Sequence, residues 1–158
     1  MSIEFRLINI MSNEFHEAFK NLLKSKLPMK IASNLKKIAN EIQAAITHFN
    51  EIRNARFEQL ADVPVINEDG SPVINPKTGK PLMQLSDKNV ALLNKELADF
   101  VNEPITINAN YIAIEDLENE NIKLSAEELI LFDFFIKSRE EIDVLTKSLS
   151  KTNNKDAN

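Results

Sequence analysis

LPMKIASNLKKIANEIQAAITHFNEIRNARFEQLA, residues 27–61, is the stretch whose reading decides the fold. Apolar side chains recur at Ile31, Leu35, Ile38, Ile42, Ala45, Phe49 and Ile52 in alternating steps of four and three. That spacing lines one face of an α-helix. Pro28 stands where a first-turn proline is tolerated, and neither Pro nor Gly interrupts residues 29–61. The pattern predicts one uninterrupted helix of roughly 50 Å, at a rise of about 1.5 Å per residue. A compact globule of this chain length is about 40 Å across. One end of the helix is therefore expected to project and to present a surface.

Upstream, Ile3, Phe5 and Leu7 alternate with polar residues and read as a short strand. Ser12 or Asn13 can cap a helix whose buried face holds Phe15, Ala18, Phe19, Leu22 and Leu23. The residue before Pro28 is biased away from helix, which places a corner at 25–27.

Downstream the character changes. Residues 63–81 hold Pro64, Pro72, Pro76 and Pro81 and both glycines of the chain, Gly70 and Gly79. Asp69-Gly70 is a hairpin turn signal between 63–67 and 71–75, and Thr78-Gly79 marks a second turn. A β-hairpin or ordered loop is expected there, at the far end of the long helix. Ser86 or Asp87 then caps a return helix with Val90, Leu93, Leu97 and Phe100 on one face. Ile105, Ile107 and Ala109 alternate and offer a pairing partner for the first strand. Ile112 and Ile114 resume out of phase, which reads as a bulge at 110–111. Residues 115–121 are acidic and loop-like. Ser125-Ala126-Glu127-Glu128 is a capping box opening a last helix. Its run at 129–136 is apolar almost all round, so a core helix is expected, continuing through Ile142, Leu145 and Leu149. No internal repeat is recognised. The fold class is α+β, mainly α. It comprises a long central helix in a helical hairpin with a turn-rich tip, a two-stranded ribbon and a C-terminal core helix.

Composition sets outer limits. A chain of 158 residues with 43% hydrophobic and 27% charged residues reads as one soluble globular domain, 1–150. Within it 62–85 forms the projecting tip, and 151–158 is a flexible tail. There is no cysteine, which removes disulfides, thiolate nucleophiles and Cys-based zinc sites. Two glycines, both in the Pro-rich turn region, leave no phosphate-cradling loop or nucleophile elbow. No apolar run reaches membrane-spanning length, and charges at Glu4 and Arg6 interrupt any leader-like start. The expectation is a cytoplasmic protein with no membrane partner.

The net charge of −5 is unevenly spread. Lys20, Lys24, Lys26, Lys30, Lys36 and Lys37 make a basic patch with no acid between Glu17 and Glu41, whereas residues 96–143 are mostly acidic. The basic patch lacks arginine, and Phe19 sits on the buried stripe, so a solvated helix corner is favoured over a nucleic-acid contact. His16 and His48 are the only histidines, and nothing in the spacing joins them to carboxylates as a metal site. Glu115, Asp116, Glu118 and Glu120 lack the ligand alternation and glycine of a calcium loop. No catalytic residue, cofactor or metal is assigned, and the chain is read as non-enzymatic. Recognition is placed on the tip, at Val65, Ile66, Asp69, Val73, Ile74, Lys77 and Lys80.

The run Leu23-Lys-Ser-Lys-Leu-Pro-Met-Lys-Ile-Ala32, followed by Lys36, Lys37, Ile38, Glu41 and 49–53, resembles a family of short bacteriophage and prophage proteins. Asn67-Glu-Asp-Gly70, the later Ile-x-Ile strand and the closing Leu-Ser-Ala-Glu-Glu-Leu share in that likeness. The family is of unknown function, so the resemblance implies a phage origin and carries over no site residue. Together the readings point to a phage protein-interaction component, a small virion or assembly protein. The alternative is a soluble regulator that binds and inhibits a host protein in anti-defence. Its partner would be a phage or host protein, in the host cytoplasm or the virion, and homo-oligomerisation stays open.

Overall fold

The computed structural model describes residues 2–153. In chain order the elements begin with β1 (Ile3–Arg6), α1 (Leu7–Ile10), α2 (Asn13–Leu23) and α3 (Met29–Leu60). Then come β2 (Val63–Pro64), β3 (Met83–Gln84), α4 (Asp87–Asn102), β4 (Pro104–Ile107) and β5 (Ile112–Ala113). The last are α5 (Ile114–Asn119), α6 (Ala126–Leu131), β6 (Ile136–Lys137) and α7 (Arg139–Asn153). The fold is mainly helical α+β with a long central helix, α3, of 32 residues. Two compact units divide the chain, one built from residues up to Ala45 and from Glu103 onward, the other Ile46–Asn102. The division falls inside α3.

The first unit holds an aromatic core. Strand β1 pairs antiparallel with β4, Ile3 opposite Ile107 and Phe5 opposite Ile105, and buries Ile3 and Phe5 on one side. Ser12 accepts the backbone N–H of Phe15 at 3.0 Å and so starts α2, whose Phe15, Phe19 and Leu22 are buried while Leu23 is exposed. Phe15 stacks on Phe19 with centroids 5.3 Å apart and meets Phe132 edge-on at 5.9 Å; Phe19 meets Phe135 edge-on at 5.8 Å. Leu35, Ile38 and Ile42 of α3 are buried in this unit, so the predicted stripe faces the core. Asn34 clamps the turn after β4: its amide donates to the Asn110 carbonyl at 2.6 Å and its side-chain oxygen accepts the Asn110 N–H at 3.1 Å.

Three expectations for this unit are corrected. The apolar run at 129–136 is not one helix. The Ser125–Glu128 capping box does open α6, with bonds of 2.8 and 3.1 Å, but that helix ends at Leu131. Phe135 and Ile136 both return their N–H to the Phe132 carbonyl, turning the chain into β6. Phe132, Phe135 and Ile136 are buried while Ile130 is 77% exposed. A second box, Ser138 with Glu141, starts α7 afresh.

Residues 112–113 do not continue β4 through a bulge. They form β5, parallel to β6, with Ile112 opposite Ile136. The change of phase reflects a change of partner. Lastly, the acidic stretch after Ile114 is a short helix, α5, because its acids have structural work. Glu115 accepts the backbone N–H of Arg139 at the start of α7, and Asp116 pairs with the Arg139 guanidinium. Helix α7 itself runs to Asn153, into the stretch expected as tail; residues 154–158 of that stretch lie outside the described residues.

The aromatic core makes a quantitative expectation. Phe132→Ala removes a fully buried ring and is expected to destabilise the first unit by about 3–5 kcal/mol in denaturant titration. Ile130→Ala, on an exposed side chain of the same run, is expected to change stability by about 0.5 kcal/mol or less.

Candidate protein-interaction surface

The second unit is a helical hairpin closed by a turn-rich tip. The α3 segment from Ile46 onward runs antiparallel to α4, because Phe49 stacks on Phe100 at 6.0 Å, Arg56 pairs with Glu96, and Asn89 donates to the Leu60 carbonyl at 2.8 Å. The Arg56–Glu96 pair is bidentate, at 2.7 and 2.8 Å, and it holds the Glu96 carboxyl below the usual carboxylate range. Asp62 ties the tip to α4 by accepting both the backbone N–H of Ser86 at 2.9 Å and its hydroxyl at 3.0 Å. Those bonds, the backbone one foremost, hold the Asp62 carboxyl below its ordinary range.

The tip is more organised than one hairpin. Three segments pair around a closed ring of backbone bonds. Val73 donates to the Val65 carbonyl at 2.8 Å, Leu82 to Val73 at 2.7 Å, and Val65 to Leu82 at 2.8 Å. Bridges Ile66–Pro72 and Ile74–Pro81 and the β2–β3 pair flank the ring. Each ring donor directly follows a proline, Pro64, Pro72 or Pro81, which has no N–H to leave unpaired.

A short repeat underlies this arrangement and corrects the reading that none exists. Pro-Val-Ile-Asn stands at 64–67 and again at 72–75, each copy followed by a turn, a glycine and a further proline. In both copies the asparagine carbonyl accepts the N–H of the turn glycine, Gly70 from Asn67 and Gly79 from Asn75, each at 2.9 Å. Those glycines lie at φ +83° and +67°, conformations that other residues adopt only with strain. Asp69 accepts the Ser71 hydroxyl at 2.5 Å and its N–H at 2.9 Å, and the hydroxyl bond foremost holds the Asp69 carboxyl below its ordinary range.

The residues singled out from sequence fall into two groups. Val65 and Val73 are half-buried ring members, Ile66 and Ile74 are 50% and 49% exposed, and Asp69, Lys77 and Lys80 are exposed on the turns. The ring thus brings all seven into one tip. Phe57, Leu82 and Met83 join this surface although no turn signal or spacing places them there. They line a shallow groove of about 390 Å³ where α3 ends against the tip, with Ala61, Asn75 and Pro81 beside them. For Leu82 the repeat is the available signal, since Pro81-Leu82 takes the place of Pro-Val in a third position. Lys20, Lys24, Lys26, Lys30, Lys36 and Lys37 are all exposed in the first unit, spread over α2, the corner and α3.

Burial separates the units sharply. Of the twenty buried apolar side chains among the described residues, only Phe49 and Leu93 lie in the second unit. Eight of the fourteen exposed large apolar side chains among the described residues lie there: Phe57, Val63, Ile66, Ile74, Leu82, Met83, Val90 and Leu92. The first unit has a larger cleft of about 620 Å³ floored by Phe134, Val144 and Leu145 and rimmed by Glu4, Asp133, Glu140 and Glu141. Two of its rim acids are already engaged, Asp133 with Lys137 and Glu141 with Ser138. His16 lies edge-on to Phe15 and His48 lies against Phe100; among the described residues no three His, Asp or Glu side chains converge to hold a metal. No helix among them is long and apolar enough to cross a membrane.

Two outcomes follow from the tip geometry. Gly70→Ala and Gly79→Ala meet open space, so each is expected to cost about 1 kcal/mol from backbone strain alone, read as faster amide exchange at Asn67 and Asn75. The depressed Asp62 and Asp69 values mean that their stabilisation is present above the unfolded value near 4 and is lost as pH falls through the folded values. Amide protection at Ser86 and Ser71 is therefore expected at neutral pH and to fade under acid, with Asp62→Asn removing the pH dependence at Ser86. No protein family, curated protein or solved structure matches the chain.

Proposed function

We propose that the chain is a non-enzymatic protein-interaction component whose contact surface is the 62–85 tip with the adjoining end of α3. One observation carries this reading: among the described residues, the second unit keeps eight of the fourteen exposed large apolar side chains while burying only two. Phe57, Leu82 and Met83 share one groove, and exposed apolar side chains gathered in this way mark an interaction site. The tip supports such a role because its backbone is pinned by the donor ring and its turn glycines. A pinned surface loses little conformational entropy on binding.

The resemblance of residues 23–32 and the later motifs to short bacteriophage proteins, read from sequence and matched by no family model, implies a phage origin, and within that setting the proposal is a small virion or assembly protein. Purified particles are expected to contain the chain in stoichiometric amount by mass spectrometry. Its absence from them would favour the regulator of a host protein instead. In either setting, tagged full-length chain is expected to retain its partner from infected cells, and deletion of residues 64–81 to abolish retention. Equal retention by both forms would remove the tip as the contact surface.

A further inference from the structure

The two turns of the tip carry opposite charge. The first, closed by Asn67 and Gly70, holds Glu68 and Asp69; the second, closed by Asn75 and Gly79, holds Lys77 and is followed by Lys80. They stand at the two ends of the middle segment, Ser71 to Asn75, about 13 Å apart at roughly 3.3 Å per residue. None of Glu68, Lys77 and Lys80 has an ion-pair partner among the described residues, where the pairs are Arg56–Glu96, Lys137–Asp133 and Arg139–Asp116. Between the charged turns lie the half-exposed Ile66 and Ile74.

A strip that is acidic at one end, apolar in the middle and basic at the other is complementary to itself when turned end for end. Laid antiparallel on a second copy about a two-fold axis near Val73, it sets each acidic turn against a basic one. Ile66 and Ile74 are then covered from both sides. Two-fold interfaces have this property, since the same patch serves on both partners. We infer that the tip is a homodimer interface, its occupant a second copy of this chain in the reversed orientation. The inference rests on the reading of the tip as a contact surface and names its partner.

Size sets the expected strength. A stable interface uses roughly 20–30 residues a side. The self-complementary strip, Ile66 to Lys80, falls short of that range, so a weak dimer with a dissociation constant of about micromolar order is expected. The paired turns remain solvent-accessible, so rising salt weakens the dimer.

The test is sedimentation equilibrium on the full chain and two variants. Glu68→Lys with Asp69→Asn makes both turns positive, and the asparagine amide keeps an oxygen for the Ser71 N–H and hydroxyl. Lys77→Glu with Lys80→Glu makes both turns negative. Each variant alone is expected to raise the dissociation constant by about two orders of magnitude, because like charges then face each other. An equimolar mixture of the two is expected to restore association, which a misfolded variant could not do. A wild-type chain that stays monomeric at about 100 µM, where a micromolar interface is saturated, overturns the inference. So does association that neither variant alters, or loss in both variants without recovery on mixing. Retention of another protein by a monomeric wild-type tip overturns the dimer while leaving the tip as the contact surface. Equal retention by the 64–81 deletion removes that broader reading as well.

Discussion

The apolar stripe of α3 is the constraint on which both units depend. Leu35, Ile38 and Ile42 are buried in the first unit, and Phe49 gives the second unit one of its two buried side chains. A helix of 32 residues without an internal Pro or Gly keeps those side chains in register through repeated i to i+4 bonding. Burial of each large apolar side chain contributes about 1.5–3 kcal/mol, so the first unit is held mainly by its core. With two buried side chains, the second unit needs another source of order.

That source is polar. The Arg56–Glu96 fork, the Asp62–Ser86 tie and the Asn89–Leu60 bond fasten the hairpin, and the ring through Val65, Val73 and Leu82 fastens its tip. Each ring bond satisfies a donor and an acceptor that would otherwise need water. Backbone bonding of this kind fixes geometry without covering side chains. Ile66, Ile74, Leu82 and Met83 therefore stay exposed in a conformation that does not need them buried.

Where the sequence carried periodicity, the fold was legible. The α3 stripe, the α2 face around Phe15 and Phe19, the β1–β4 pairing and the Ser125 box all follow from local spacing or capping chemistry. Legibility failed where polar residues were missing to mark a face. The run at 129–136 has one charged residue in eight, so period alone does not separate a buried helix from a turn entering a buried strand. The deciding facts there are distant: β6 exists because β5 offers it a parallel partner. In the same way, the acids after Ile114 form a helix because Arg139, far along the chain, supplies their counter-charge and a backbone donor. At the tip the glycines and prolines announced turns, but the repeat was masked by its unequal turns, with Gly70 three residues after Asn67 and Gly79 four after Asn75.

The same prolines decide how the tip can associate. An exposed run of Val, Ile and Leu is ordinarily an invitation to strand addition, since free N–H and C=O groups template a neighbouring chain. Pro64, Pro72 and Pro81 remove a donor from each of the three segments, and the ring commits the donors that follow them inward. Strand addition along this backbone thereby finds fewer free donors. What remains for recognition is the side-chain layer: Ile66 and Ile74, the groove of Phe57, Leu82 and Met83, and the charges of the two turns. Association through side chains is geometrically selective and closes on a defined partner, whereas association through free strand edges propagates. A small unit that leaves apolar groups outside is less prone to open-ended pairing when its backbone donors are spent internally, and the proline-gated ring spends three of them.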